Sequence, residues 1–177
     1  MTKTVGIFIY DHFQLLDASG PITAFEIANE AVPGAYRLKI MSVRGGMITS
    51  SSGLAVESAA VSEVERPDTV VVVGGSGGPK AEVCPDSMGY LRKCAAEVRH
   101  LCSVCSGAFL LAAAGVLEGR RVTTHWRLAE ELQKRYPRLK VEVDRIYVRD
   151  GSIWTSGGVS AGIDLALALI ADDLGED

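Results

Sequence analysis

No segment of this 177-residue chain is long and apolar enough to span a bilayer. The N-terminus also lacks a signal-peptide pattern: Met1-Thr2-Lys3-Thr4-Val5 runs straight into a strand-like segment, which points to the cytoplasm. Basic residues are scattered and the net charge is −4, so nothing suggests nucleic-acid binding by this segment itself. Three histidines, far apart in sequence, do not make a zinc site, and no metal or other cofactor is expected. No Gly-Lys-Ser/Thr follows the glycine-rich stretch at 74–79, which excludes a P-loop; the dinucleotide fingerprint Gly-x-Gly-x-x-Gly is missing too. The chain also lacks internal repeats, low-complexity tracts and linkers, so residues 1–177 read as one domain. Four cysteines without a secretion signal are expected to be free thiols.

What is present centres on His100-Leu101-Cys102-Ser103-Val104-Cys105-Ser106-Gly107-Ala108-Phe109-Leu110-Leu111. An apolar run stops at a cysteine and a small-residue helical run begins at once. That is the pattern of a nucleophile elbow, in which a strand, a sharp turn and a helix expose one side chain and its neighbours must be small. Cys105 sits at the turn, and a thiol at a helix N-terminus feels the positive end of the dipole, which favours thiolate. On that basis Cys105 should oxidise readily to sulfenic or sulfinic acid. The plainer alternative is a buried structural cysteine. Cys102 and Cys105 also form a Cys-x-x-Cys, but Cys102 falls inside the strand and should lie buried below the turn, which weighs against a redox or metal pair.

Along the chain, 4–10 reads as a buried strand and 11–17 as its connection. A helix starts at Ser19-Gly20-Pro21 and runs to Ala31. Strand 36–43 follows, then a hairpin of 47–49 and 54–56. Thr69 to Val73 is the strongest strand signal, and its glycine-rich sequel lets backbone N–H groups approach a ligand, unless it is a plain surface loop. Helix 88–98, the Cys105 strand and the helix from Ala108 to Gly115 come next. An extended piece, 121–126, enters a helix from Arg127 to Tyr136; strands follow at 140–143, 146–149 and 152–155, the last two joined by Asp150-Gly151. The final helix spans Val159 to Leu174. Alternating strands and helices predict an α/β fold with a mainly parallel sheet and helices on both faces. Ligands in such sheets bind beyond the carboxyl ends of the strands, so Asp17, Gly75, Cys105 and His125 are expected on one rim. Trp126 reads as wall or core.

The chain resembles the ThiJ/PfpI family of the class I glutamine amidotransferase-like superfamily. The matching pieces are Leu15-Leu16-Asp17-Ala18-Ser19-Gly20-Pro21, Val72-Val73-Gly74-Gly75, Ser103-Val104-Cys105-Ser106-Gly107-Ala108-Phe109-Leu110, Thr123-Thr124-His125-Trp126 and the run from Val148 to Asp164. The resemblance implies a three-layer, flavodoxin-like sandwich with a cysteine nucleophile elbow. Two groups are most similar: the N-terminal ligand-sensing domain of AraC-family transcription regulators, and isonitrile hydratase. The first implies a small-molecule-sensing domain in which DNA is reached only through helix-turn-helix units not present in this chain; Leu174-Gly175-Glu176-Asp177 lies about where such a domain hands over. The second implies hydration of an isonitrile to an N-substituted formamide through a cysteine thiolate. Both imply Cys105 as nucleophile, with Asp17 and His125 beside it, and Gly75, Ser106 and Thr124 around an oxyanion or ligand. Peptidase-like members carry histidine after the cysteine; Ser106 stands here, so a protease is not implied. A homodimer is implied by the resemblance alone.

Overall fold

Thr69-Val70-Val71-Val72 and His100-Leu101-Cys102-Ser103-Val104 leave no polar alternation, and strands of that kind belong where both faces of a sheet are covered. In the computed structural model, which describes residues 1–175, both are central strands. The strands are β1 (Lys3–Phe8), β2 (Tyr36–Ser42), β3 (Gly46–Thr49), β4 (Ala55–Ala60), β5 (Thr69–Val72), β6 (His100–Val104), β7 (Arg121–Val122), β8 (Lys140–Val141), β9 (Tyr147–Asp150) and β10 (Ile153–Ser156). The helices are α1 (Leu15–Ala31), α2 (Gly78–Glu82), α3 (Pro85–Glu97), α4 (Gly107–Ala113), α5 (Ala129–Arg135) and α6 (Ala161–Leu174). Eight strands form one sheet in the order β3-β4-β2-β1-β5-β6-β10-β9. The interior pairs are parallel, with Ile7 beside Ile40 and Val71, Val70 beside Leu101, and Cys102 beside Trp154. Antiparallel hairpins, β3–β4 and β10–β9, close the two edges.

Helices α1 and α6 pack on each other, and α2 and α3 pack on α4, so the sheet is the middle layer of three. This is the α/β sandwich expected from the sequence. The core runs through Ile7, Phe8, Leu101, Leu110 and Leu111, all fully buried, and each such side chain contributes roughly 1.5–3 kcal/mol relative to exposure.

Several boundaries differ from the sequence reading. Helix α1 starts at Leu15, not at Ser19 or Gly20, because Gln14 N–H donates to Gly74 O at 2.8 Å and docks the chain on the glycine turn. Asp17 therefore lies in the first turn of a helix rather than in a connection, and Pro21 sits inside α1, leaving only the Asp17 carbonyl without its helical donor. The glycine-rich stretch contains a short helix, α2, with Pro79 in its first turn. Helix α3 begins at Pro85 rather than Met88, again with proline at its start. Strands β7 and β8 pair with each other in a separate two-stranded sheet. Helix α6 begins at Ala161, because Val159 has φ 58° and cannot be helical. Residues 176–177, part of the expected hand-over, lie outside the described residues. Among the described residues, no helix is long and apolar enough to cross a membrane.

Candidate functional site around Cys105

Strand β6 is buried along its whole length and ends at Val104. Cys105 then takes φ 56°, Ser106 is already in the right-handed helical region, and α4 starts at Gly107. A non-glycine residue in the left-handed region costs on the order of 1–3 kcal/mol and persists only where its surroundings impose it. Here they do. Cys105 N–H donates to the carbonyls of Ser156 and Gly157 at 3.2 and 3.1 Å. The Thr124 hydroxyl donates to Cys105 O at 2.7 Å. A Cβ on Gly107 would lie 2.3 Å from Val72 O, so the turn is closed against the neighbouring strand's backbone and only glycine fits. Cys102, as expected, is fully buried below the turn.

Asp17 is fully buried behind the sulfur. Its carboxylate accepts Gly74 N–H at 3.0 Å and Val159 N–H at 3.3 Å, which ties together the start of α1, the end of β5 and the lead into α6. Burial raises its pKa to about 6, against the opposing effect of those two amides. The thiol is pushed up to about 12, first by burial and then by the facing Asp17 carboxylate, while the backbone and hydroxyl of Ser106 pull the other way. The dipole expectation of a thiolate at neutral pH is thus overturned: the desolvated sulfur and its acidic neighbour outweigh the helix end. Ready oxidation, which rested on a low pKa, loses its premise.

Gly75 N–H donates to Ser106 Oγ at 2.9 Å, so this amide is already engaged by a side chain. His125 lines the cavity with Cys105, and a Cβ on Gly158 would lie 2.2 Å from His125 Cδ2 and 3.1 Å from Cys105 Sγ. The imidazole Nδ1 accepts Arg127 N–H at 3.3 Å, starting the 3-10 turn Trp126–Leu128. Thr124 is buried and acts on the site through the Cys105 carbonyl; it does not line the cavity. The structure therefore gathers Asp17, Gly75, Cys105, Ser106 and His125 at one rim and puts Thr124 beneath it. Trp126 is neither wall nor core: it is 65% exposed, stacked on His125 with Arg127 over its ring.

Cys105 opens on a cavity of about 520 Å³. Its wall includes residues that the sequence did not single out: Gln14 from the start of α1, Pro79 and Glu82 from α2, Phe109 from α4, Arg127 and Leu128 from the 3-10 turn, Glu131 and Arg135 from α5, and Val159. Glu82, nearly buried, is ion-paired with Arg135, whose guanidinium lies 5.1 Å from the Phe109 ring centre. The only sequence signal for this wall was proline after the glycine run; the side chains converge from five separate segments.

One further group of possible metal donors, His100, Asp172 and Asp173, lies at the opposite end of β6 with ligand atoms within 4.8 Å of one another. Ion pairs with Arg99, Arg149 and Lys3 engage both carboxylates there.

The isonitrile hydratase of Pseudomonas putida is 34% identical over 100% of this chain and 75% of its own. The HTH-type transcriptional regulator CdhR of Pseudomonas aeruginosa is 32% identical over 97% of this chain, which spans 51% of the regulator. The crystal structure of a ThiJ/PfpI family protein from Pseudomonas syringae superposes with a TM-score of 0.86 at 25% identity, covering 98% of this chain and 69% of that one. Residues 3–172 match the DJ-1/PfpI family, and the chain belongs to it.

Proposed function

We propose that this chain is the small-molecule-sensing domain of an AraC-type transcription regulator, with Cys105 on a nucleophile elbow at the floor of the ligand cavity. The observation that carries this reading is a roomy cavity of about 520 Å³ on which Cys105 opens. A receptor pocket needs volume, apolar wall and a few orienting polar groups, not an activated nucleophile. His125, the residue that could take the thiol proton, spends Nδ1 on Arg127 N–H instead. Regulators among the relatives share this sequence over about half their length. DNA would be contacted by helix-turn-helix units outside this chain, and ligand state would reach them by shifting a conformational equilibrium. A cytoplasmic homodimer, needing no cofactor, belongs to the same proposal, and sedimentation of the purified chain tests the dimer.

A second reading rests on one specific feature: a carboxyl group with pKa near 6 beside the sulfur. In an isonitrile hydratase, the thiol would hand its proton to the Asp17 carboxylate as the sulfur bonds to the isonitrile carbon, and Asp17 would pass that same proton to the carbon, giving a thioimidate. Water would add to the same carbon and expel the thiol, leaving an N-substituted formamide, so isonitrile plus water equals product. Incubating the protein with a simple alkyl isonitrile and following the formyl proton by NMR separates the two. The sensing reading expects no more than one equivalent consumed. Many turnovers, lost in Cys105→Ser, would replace it with the enzyme.

A further inference from the structure

The charged groups on the cavity wall are unequally committed. Arg135 is paired with Glu82 and lies 3.7 Å from Glu131, so one guanidinium serves both acids. Arg127 has no acidic partner among the described residues, and its main-chain N–H donates to His125 Nδ1. Its guanidinium is held over the Trp126 ring, 5.0 Å from the centroid. A guanidinium carries N–H donors in a planar fork, the geometry that grips a carboxylate in bidentate fashion. The 3-10 turn that carries both residues is itself fastened through His125 Nδ1.

The floor has the opposite character. Asp17 lies behind the sulfur, and Gly75 N–H, the amide that could receive an anion there, is already taken by Ser106 Oγ. The wall also carries apolar surface from Phe109, Leu128 and Pro79, beside the ion pair of Glu82 and Arg135. We propose that the cavity takes a small amphiphilic carboxylate, its anionic end gripped by Arg127 at the rim and its apolar body directed down toward Cys105. Arg127 is thus the specificity-determining residue of the site. This rests on the reading of the cavity as a small-molecule pocket and adds the chemical class of the ligand.

The test uses a matched trio of probes: hexanoate, hexanamide and hexylamine. Each is titrated against the intact chain by NMR, and protection of Cys105 from iodoacetamide reports occupancy of the cavity. Hexanoate should bind roughly tenfold more tightly than hexanamide, as a charge-assisted pair at a partly exposed rim allows. Arg127→Gln should abolish that preference, and Arg127→Lys should restore part of it. If hexanamide protects the thiol as well as hexanoate does, or hexylamine does better, the pocket stands and the carboxylate assignment falls. The same holds if the preference survives in Arg127→Gln. If none of the three protects Cys105, both readings fall together.

Discussion

At Cys105 and Asp17, two ionisable groups share a desolvated corner of the site, and the cost of charge falls unequally on them. Burial is the leading cause for both, and the carboxylate adds to the cost for the sulfur. Replacing Asp17 with Asn removes that added cost. Alkylation of Cys105 by iodoacetamide near pH 8 should accelerate by roughly tenfold, since one pKa unit is a tenfold change in thiolate, and peroxide oxidation should speed up alongside. An unchanged or slower rate would mean that Asp17 does not hold the thiol up. The same pair sets a pH dependence of stability. Asp17 is raised from 3.8 to about 6, so between those values the folded state binds more protons than the unfolded chain. Its contribution is fully present below pH ~4 and is lost as pH rises through about 6, by roughly 3 kcal/mol at most. Urea melts across that window should show a falling stability that Asp17→Asn flattens.

The β6-turn-α4 unit shows why small residues cluster after the cysteine. Gly107 is there because Val72 O occupies the space a Cβ would need. Gly107→Ala should destabilise by about 1–3 kcal/mol, the usual cost of forcing extra volume into a packed site, or prevent folding. Gly89, in the middle of α3, faces open space within 4 Å and has no left-handed backbone. Gly89→Ala should therefore stabilise by roughly 0.5–1 kcal/mol through helix propensity alone. Chemical denaturation of the two variants should move in opposite directions. A shared direction would show that glycine packing is not what closes the turn.

Across the chain as a whole, α6 spans from the site to the opposite end of the central strands. At its leading end Val159, strained at φ 58°, donates its N–H to Asp17; at its trailing end Asp172 and Asp173 are held by Arg99, Arg149 and Lys3. Asp173 is nearly buried and also accepts the Tyr36 hydroxyl at 3.1 Å. Its partners are partly exposed, which discounts the loss, so Asp173→Ala should cost about 2 kcal/mol in a thermal or urea melt. A change within experimental error would make this clasp a surface ion pair of no mechanical consequence.

The sheet, the alternation of strands with helices and the bend at Cys105 were legible in the chain because each is a local demand. Valine runs need cover on two faces, glycine is needed where backbones touch, and a thiol between a strand and a small-residue helix has few other places to be. The motif match also pointed to Asp17. Three things needed the chain folded. The start of α1 at Leu15 depends on a hydrogen bond from Gln14 to Gly74, sixty positions apart in sequence. The raised pKa of the thiol depends on how deeply it is buried and on which acid lies behind it, and neither is a property of the neighbouring residues. The ion-paired wall of Glu82 and Arg135, and the unpaired Arg127, arise where α2, α5 and the 3-10 turn meet. Charge neutralisation is a matter of distance through space, and distance through space is what a linear pattern does not contain.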